Sequence, residues 1–369
     1  MILEKLTLLN YRSIREATLE FSPNVNCFVG ANGMGKTNVL DAIYYLSFVK
    51  SSVCSLDALN IHHDEDFFML DAQYHNPQTD SQEHVVCSLK RGQRKHLKRN
   101  DKDYKKFSNH IGLIPLVLIS PADSQLVSGG SEERRKFMDS VISQCDSEYL
   151  AHYMNYQKAL QQRNLLLKAD DEPDWEYVGV LEQMMSDSAA YIYNVRLEFI
   201  RNFVPIFRDM YRRLCPTEHE LPELVYQSHG ERGELLPLLQ AGREKERIVG
   251  YTLHGVHKDD ILLKLNGFDL RREGSQGQTK TYVMAMKLSQ YVFLRERHHA
   301  DSPILLLDDI FDKLDASRVS RIIDYVSSDA LGQIFITDTN RENLDRILAS
   351  THRNYQLFRL PFAQVEKES

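Results

Sequence analysis

The sequence predicts an α/β fold in which a helical lobe interrupts a lobe of mixed strands and helices. A glycine-rich loop, Gly30–Thr37, lies between a strand-like apolar run, Val25–Val29, and a segment with helical periodicity. A second apolar run, Ile304–Leu307, ends in two aspartates. Residues 121–215 lie between these stretches and show helical periodicity. Strands that alternate with helices at both ends of the chain indicate an α/β fold with a helical insert.

The loop has the G-x-x-x-x-G-K-T spacing of a phosphate-binding loop. Its glycines let backbone N–H groups converge on phosphate oxygens, because glycine adopts conformations that side chains forbid. Lys36 is expected to reach the β- and γ-phosphates, and the Thr37 hydroxyl to ligate Mg²⁺. The helix that follows would direct its N-terminus at the phosphates. The sequence therefore predicts a nucleoside triphosphate site formed by Gly30, Ala31, Asn32, Gly33, Met34, Gly35, Lys36, Thr37 and Asn38.

The amino-acid composition is typical of a globular protein without membrane-spanning segments. Apolar residues make up 42% of the 369 residues, and no apolar run approaches the length of a membrane span. The five cysteines lie far apart without a C-x-x-C pair, which is typical of a reducing compartment and disfavours a structural zinc site. We therefore expect a cytoplasmic protein with no membrane partner. The net charge of −7 means that any nucleic-acid binding depends on a local basic patch.

The segment before the loop is expected to contain two more strands, Ile2–Leu9 and Ala17–Phe21. Arg12 lies between them. It is either a solvated turn residue or a cation beside the nucleotide phosphates, and the local pattern leaves both interpretations open.

A basic hairpin is predicted after the loop helix. Nine lysines and arginines fall between residues 90 and 106, and Asn100-Asp101 is the expected turn. Such a run is usually a solvated, charged sheet edge. In an acidic protein it is also the best candidate surface for a phosphate backbone. The candidate DNA contacts are Lys90, Arg91, Arg94, Lys95, Lys98 and Arg99, together with Arg134 and Arg135 at the start of the next helical segment.

Three long helices are expected in the insert: Glu132–Ser143, Glu148–Lys168 and Trp175–Leu214. Pro205 is expected to kink or break the last of them. The methionine and aromatic stripe of that helix is interpreted as core between packed helices. The resulting division is 1–120 for the first part of the mixed lobe with the basic hairpin, 121–215 for the helical lobe, and 216–369 for the rest of the mixed lobe.

Two further stretches are expected to complete the triphosphate site. The run Ile304–Leu307 should deliver Asp308 and Asp309 at the end of a buried strand, where Asp308 would hold Mg²⁺ with Thr37 and Asp309 would orient or deprotonate the attacking water. The second stretch precedes a helix and offers another anion-binding end: Ser275, Gln276, Gly277 and Gln278. Gly255–Asp260 is either a functional loop or a solvated turn.

Taken in order, these motifs resemble those of the SMC-like ABC-type ATPases of DNA repair. The resemblance includes Asn10–Ser13, the phosphate loop with Asn38, Ser120–Asp123, Arg134–Asp139 and three later stretches, and it spans nearly the whole chain. The later stretches are His257–Asp260, Ser275–Gln278 and Leu307–Asp315. Lys258 stands where the family's usual motif has an arginine. The short helical insert distinguishes the chain from SMC proteins, which carry long coiled coils.

The resemblance implies an ABC-type (SMC-like) ATPase head that binds ATP and Mg²⁺ and forms an ATP-dependent head-to-tail homodimer. Ser275 and Gly277 of one subunit would close over the γ-phosphate held by the other. It further implies weak ATP hydrolysis, binding to double-stranded DNA and to gapped or single-strand/duplex junctions, and recombination mediator proteins as partners in loading a recombinase. An ABC-type ATPase subunit coupled to a non-DNA partner is the alternative.

Overall fold

The computed structural model describes residues 1–216, 219–298, 302–310, 316–328, 331–338, 345 and 354–360. Its strands are β1 Ile2–Tyr11, β2 Ile14–Glu20, β3 Val25–Val29, β4 Phe67–Asn76, β5 Ser81–Lys90, β6 His96–Arg99, β7 Lys102–Asp103, β8 Leu116–Ile119, β9 Pro222–Gln227, β10 Asp260–Leu265, β11 Phe268–Asp269, β12 Ile304–Asp308, β13 Ile334–Asp338 and β14 Tyr355–Arg359. Its α-helices are α1 Lys36–Phe48, α2 Gln125–Ser128, α3 Ser131–Cys145, α4 Ser147–Lys168, α5 Trp175–Leu214, α6 Leu235–Val249, α7 Leu270–Glu273, α8 Gln276–Arg297 and α9 Ala316–Ser327.

The described chain divides into two units, 1–123 with 284–369 and 124–283. The first unit contains two sheets. One is antiparallel, with strand order β2-β1-β4-β5-β6-β7. Its β6–β7 turn falls at Asn100-Asp101, as predicted, and both residues have positive φ values of 49° and 63°. Asparagine and aspartate tolerate this conformation better than most side chains, which explains the turn.

The second sheet of this unit is parallel, with strand order β14-β3-β13-β12-β8. Every residue of β12 and β13 is buried, as is nearly all of β3. A parallel strand that is covered on both faces appears in the sequence as a continuous apolar run. For this reason the predicted strand Val25–Val29 has the same bounds as β3. The phosphate-binding loop and the aspartates both follow strand ends, so the same edge of the sheet carries them.

Gln333 links the two sheets of the first unit. Its buried side-chain amide accepts a hydrogen bond from the backbone N–H of Leu3 at 2.8 Å and donates to the carbonyls of Leu3 and Ser22 at 2.8 and 2.9 Å. Because a buried amide is costly unless satisfied, these bonds fix the antiparallel sheet against the parallel one.

The second unit contains helices α2 to α7, the start of α8 and the small sheet β11-β10-β9. Helix α5 runs unbroken through Pro205, so the expected break does not occur. Its apolar stripe is buried, including Phe199, Phe203 and Phe207, which confirms the core interpretation. The packing of this stripe offsets the loss of one backbone hydrogen bond and the ring clash that an interior proline causes.

The unit that contains the helices extends to Val283, not to residue 215 as the sequence suggested. Buried ion pairs explain the difference. Asp259 accepts a hydrogen bond from Arg196 of α5 at 2.9 Å, and Asp260 forms a two-pronged pair with Arg134 of α3 at 2.7 and 3.0 Å. Arg196 and Asp259 are almost fully buried, so neither charge is stable without the other.

No helix within the described ranges is both long and apolar enough to cross a membrane.

Candidate nucleotide-binding site

The phosphate-binding loop connects β3 to α1. Gly33 and Gly35 have φ values of 80° and 93°, in the left-handed region that favours glycine. An added Cβ at Gly35 would also lie 3.3 Å from Ser13 Oγ. The loop segment Ala31–Met34 is exposed, whereas Gly35 and Lys36 are buried. The backbone therefore takes the shape that the glycine spacing predicts, with α1 beginning at Lys36.

The Lys36 ammonium group lies inside this loop. It donates hydrogen bonds to the carbonyl oxygens of Gly30 at 2.6 Å and of Ala31 at 3.1 Å. These are weak acceptors for a cation compared with phosphate oxygens, because charge-assisted bonds are the stronger ones. The ammonium group of Lys36 therefore lies among the backbone groups of the loop.

Asp308 connects the loop to the parallel sheet. Its Oδ1 accepts hydrogen bonds from Thr37 Oγ1 at 3.1 Å and from Thr337 Oγ1 at 2.6 Å. Burial raises the pKa of this carboxyl, and the charge of Asp309 adds to the increase, while the two threonine hydroxyls and Lys36 oppose it. A desolvated carboxylate beside a loop threonine is a strong acceptor for a hard cation.

Thr337 is a site residue that the sequence left unassigned. It lies opposite Asp308 in the parallel β12–β13 register. Its hydroxyl also lies 3.2 Å from the backbone N–H of Asp309, which donates to it. The sequence does contain a sign of Thr337, because the apolar runs of β12 and β13 both end in polar residues. Neighbouring parallel strands bring such ends together.

Asp309 follows β12 directly. Its φ of 50° places a non-glycine residue in the left-handed region, and its N–H donates to the carbonyl of Thr337 at 3.1 Å. Strained backbone at a strand end often marks a functional residue. Asp308 and Asp309 thus leave the strand consecutively, one buried and one partly exposed. Of the Leu307–Asp315 stretch, residues 311–315 lie outside the described residues.

Arg12 is neither free in solvent nor isolated. It occupies the β1–β2 turn with a φ of 55°, and its guanidinium lies 3.3 Å from Asp41 Oδ2. Asp41 is a buried residue of α1 that also accepts a bond from Tyr11 at 2.7 Å. Asn38, in the first turn of α1, donates to Ser13 Oγ at 2.7 Å. This turn is therefore tied to the helix that follows the loop.

In the second unit, Ser275 caps the N-terminus of α8. Its hydroxyl accepts a bond from the Gln278 N–H at 3.2 Å, and Gln278 Oε1 accepts one from the Ser275 N–H at 2.9 Å. This reciprocal pair is a capping box. Ser275 and Gln276 are exposed, while Gly277 and Gln278 are half-buried. The motif thus presents a rigid helix end to solvent.

The basic hairpin has two kinds of cation. The ammonium group of Lys95 bonds Asp57 Oδ2 at 2.7 Å and the Val49 carbonyl at 2.6 Å, with the side chain only 11% exposed. Arg99 forms a two-pronged pair with Glu83 at 2.7 and 2.8 Å. Lys95 and Arg99 therefore both have internal partners, and their contacts with DNA stay a prediction. The exposed cations are Lys90, Arg91, Arg94, Lys98, Lys102, Lys105 and Lys106.

Arg134 also has an internal partner, because its side chain is 12% exposed and paired with Asp260. Arg135 is half-buried and donates to the Asp259 carbonyl at 2.6 Å. His257 accepts a bond from Tyr156 at 2.6 Å, and burial lowers its pKa to about 3. The Gly255–Asp260 stretch is thus largely a folded connection and not a solvated turn.

Comparison with known proteins shows similarity to RecF proteins along nearly the whole chain. The model of the RecF/RecN/SMC N-terminal domain matches residues 2–359. The DNA replication and repair protein RecF of Phocaeicola vulgatus is 49% identical over 365 residues, covering 99% of this chain and 98% of that protein. The protein of the same description from Flavobacterium johnsoniae is 47% identical over 363 residues, covering 98% of this chain and all of that protein.

Solved structures agree with this result. The recombination mediator protein RecF with ATPrS, of the RecFOR pathway, has a TM-score of 0.85 at 26% identity and covers 97% of this chain and 95% of that one. An Smc head bound to the C-winged helix domain of ScpA has a TM-score of 0.58 at 15% identity, which bears on the fold alone, and covers 95% and 92%. The expected ABC-type (SMC-like) head fold is confirmed.

The buried carboxyl of Asp308 leads to a prediction about stability. Its raised pKa means that the native state binds a proton more readily than the unfolded state, so this group destabilises the protein as pH rises through that pKa. Asp308→Asn should therefore raise the free energy of unfolding at pH 8 by on the order of 1 kcal/mol, and by less at about pH 4, near the ordinary pKa of an aspartate. Calorimetric unfolding at both pH values measures the difference.

The matched control is Asp103→Asn, which alters an exposed carboxylate of β7 and should change stability little at either pH. A loss of stability in Asp308→Asn at pH 8 would contradict the proposed electrostatic cost.

Proposed function

Because this chain belongs to the RecF family of DNA replication and repair proteins, we propose that it is an ATP-dependent DNA-binding protein of recombinational repair and replication. The observation that carries the proposal is the 3.1 Å contact between the Thr37 hydroxyl and the Asp308 carboxylate. It joins the phosphate-binding loop to the acidic end of a parallel strand, as a triphosphate-binding site requires.

ATP is the proposed nucleotide. Two similar solved structures are described as RecF with ATP and with ATPrS, which supports this choice. The N–H groups of Gly30–Thr37 would surround the β-phosphate, and Lys36 would leave the Gly30 and Ala31 carbonyls for the β- and γ-phosphates. Asn38 would keep α1 against the 10–13 turn through Ser13.

The donor set at the strand end fits Mg²⁺. Magnesium is commonly held by one or two protein oxygens together with nucleotide phosphates, and Thr37 and Asp308 supply such oxygens. Thr337 would orient the carboxylate through its 2.6 Å hydrogen bond. A bound Mg²⁺ would neutralise charge on the phosphates, and it would also stabilise the ionised form of a carboxyl whose pKa is raised by burial.

Asp309 is the proposed residue for positioning or deprotonating the attacking water. It is adjacent to Asp308 and partly exposed, so water and the γ-phosphate could approach it. The phosphate-binding loop and Lys36 enclose the triphosphate from one side only. Slow hydrolysis, used as a switch, is proposed from the likeness to the SMC-like ABC-type ATPases.

The second half of the enclosure is proposed to come from another copy of the chain. Ser275, Gln276, Gly277 and Gln278 form a helix N-terminus that is exposed at Ser275 and Gln276, and the capping box fixes the Ser275 hydroxyl and the N–H groups of Ser275 and Gln278. Such an end attracts a phosphate. Two ATP molecules between head-to-tail subunits would then hold a homodimer closed, and hydrolysis would release it.

The exposed hairpin cations are the proposed DNA contacts. Lys90, Arg91, Arg94 and Lys98 lie on or between β5 and β6. Lys102, Lys105 and Lys106 extend the positive surface beyond β7. A closed dimer would present two such surfaces, so the clamp would bind the phosphate backbone of duplex DNA or of gapped and single-strand/duplex junctions. Mediator proteins of the RecR and RecO type are the proposed partners, supported by the RecFOR pathway named for the similar structures.

The dimer proposal predicts that Ser275→Arg binds ATP normally but fails to dimerise with ATP and Mg²⁺. An arginine at the helix end would fill the space meant for the partner's γ-phosphate, whereas the phosphate-binding loop is unchanged. Lys36→Ala should instead lose ATP binding itself, because the phosphates lose their main cation. Equilibrium dialysis measures nucleotide binding, and sedimentation velocity measures the dimer.

A Ser275→Ala protein is the matched control and should retain at least part of the dimer, since it removes a hydroxyl without adding bulk. ATP-dependent dimers of normal affinity in Ser275→Arg would exclude the proposed role of this helix end in trans.

The hairpin proposal predicts that Arg94→Gln with Lys98→Gln weakens duplex DNA binding equally for unrelated sequences. Each cation removed from a phosphate should reduce the steepness of log affinity against log salt by about 0.9, so the double variant should lose about 1.8. Fluorescence anisotropy at several salt concentrations gives this slope. Lys245→Gln, which removes an exposed lysine of α6, is the control and should leave both affinity and slope unchanged. An unaltered slope in the hairpin double variant would place the DNA elsewhere.

A further inference from the structure

A cavity of about 320 Å³ lies within the second unit. Helices α3, α4 and α5 and the turn at Val256–Lys258 form its walls. Its lining is rich in cations and hydrogen-bond donors, including Arg135, Lys136, Tyr153, Gln157, Arg196 and Lys258. Nothing in the nucleotide site proposed above uses this cavity.

Part of this positive charge is already neutralised by carboxylates. Arg196 pairs with Asp139 at 2.8 Å, and Lys136 pairs with Glu132 at 2.9 Å. Asp139 and Glu132 are both lining residues, so the acidic groups of the wall are engaged. Among the described residues, Arg135 and Lys258 have no carboxylate within ion-pair distance. Two cations of the wall therefore lack a counter-charge in direct contact.

These two cations disfavour each other's charge. Burial lowers the pKa of Lys258, and the nearby guanidinium of Arg135 lowers it further. Burial also lowers the pKa of Arg135, with the charge of Arg196 as the second cause, and this outweighs the nearby aspartates. An anion between Arg135 and Lys258 would relieve both effects, because an opposite charge within a few ångströms stabilises the cationic form.

Neutral groups of the same wall complete the set of donors. Burial raises the pKa of Tyr153, so its hydroxyl stays protonated and able to donate. Gln157 also lines the cavity, and its side-chain amide carries two hydrogens that can be donated. His257 is not a third cation, because its Nδ1 accepts from Tyr156 and its Nε2 lies 3.2 Å from the Thr252 carbonyl, to which it donates. His257 therefore lines the cavity as an uncharged side chain whose two ring nitrogens are both hydrogen-bonded.

We propose that this cavity, with Arg135 and Lys258 as its two cations, is a binding site for a phosphate group. A phosphate monoester carries close to two negative charges at neutral pH, which matches two cations without carboxylate partners. Arginine binds phosphate through a planar fork, and the neighbouring hydroxyl and amide suit the remaining oxygens. A single protein carboxylate would leave one of the cations without a counter-charge. The phosphate could come from a DNA end or from a free nucleotide.

Lysine acylation followed by mass spectrometry tests this site directly. The full-length protein is first saturated with Mg²⁺ and ADP, so that the phosphate-binding loop is occupied. The acylation rate of Lys258 is then measured against increasing inorganic phosphate. A bound phosphate that raises the pKa of Lys258 by about one unit would lower its reactive neutral fraction about tenfold. Lys158, an exposed lysine of α4, serves as the internal control.

The expected result is saturable protection of Lys258 with no change at Lys158, and loss of that protection in Arg135→Gln. Arg135→Lys should restore part of it, since the charge is kept. A duplex with 5′-phosphate ends, the same duplex with 5′-hydroxyl ends and a deoxynucleoside monophosphate distinguish the source of the phosphate. Equal protection at Lys158, protection that persists in Arg135→Gln, or protection by polyglutamate alone would overturn the proposal. None of these results depends on ATP hydrolysis or on dimerisation, so the outcome is independent of the function proposed above.

Discussion

One carboxylate oxygen connects the parts on which the candidate site depends. Asp308 Oδ1 accepts hydrogen bonds from Thr37 at the start of α1 and from Thr337 at the end of β13. The arrangement is possible because β3, β13 and β12 are parallel neighbours whose carboxyl ends meet at one edge of the sheet. Burial raises the pKa of the carboxyl, so the protein maintains an unfavourable charge at the position where a metal ion would be most useful.

The cost of burying a charge also explains which of the lysines and arginines are exposed. A count of lysines and arginines in the sequence suggests one continuous basic surface from residue 90 onwards. The structure divides these residues by their partners: Lys95 and Arg134 hold the fold together through Asp57 and Asp260, whereas Lys98 is exposed. Buried cations require carboxylates in contact, and only the remaining cations are available for phosphates. Arg135 and Lys258 are the exception, because they are half-buried without such a carboxylate among the described residues.

The sequence was most informative where a local pattern determines the structure. Val25–Val29 and Trp175–Leu214 agree with the structure at both ends, because a buried parallel strand and a long amphipathic helix each have a clear periodicity. The phosphate-binding loop was predictable because its glycine conformations are local. Of the two outcomes expected at Pro205, a kink or a break, the break does not occur, since the packing of α5 offsets the local preference of proline. The partners of Arg134 and Lys95 could not be predicted from the sequence, because these bonds join residues that are far apart in the chain. Arg134 and Asp260, for example, are 126 positions apart. The division near residue 215 differed for the same reason, as Asp259 and Asp260 anchor the later segment to the helices.

In the proposed function, ATP closes a dimer of this chain on DNA. The most direct measurement is the rate of ATP hydrolysis per subunit against protein concentration, with and without gapped duplex DNA, at low and high salt. We expect a rate that rises with protein concentration, increases further with DNA and loses that increase at high salt, because phosphate contacts weaken as salt rises. A rate that is independent of protein concentration and unaffected by DNA would contradict this proposal and would favour an ABC-type ATPase subunit coupled to a non-DNA partner.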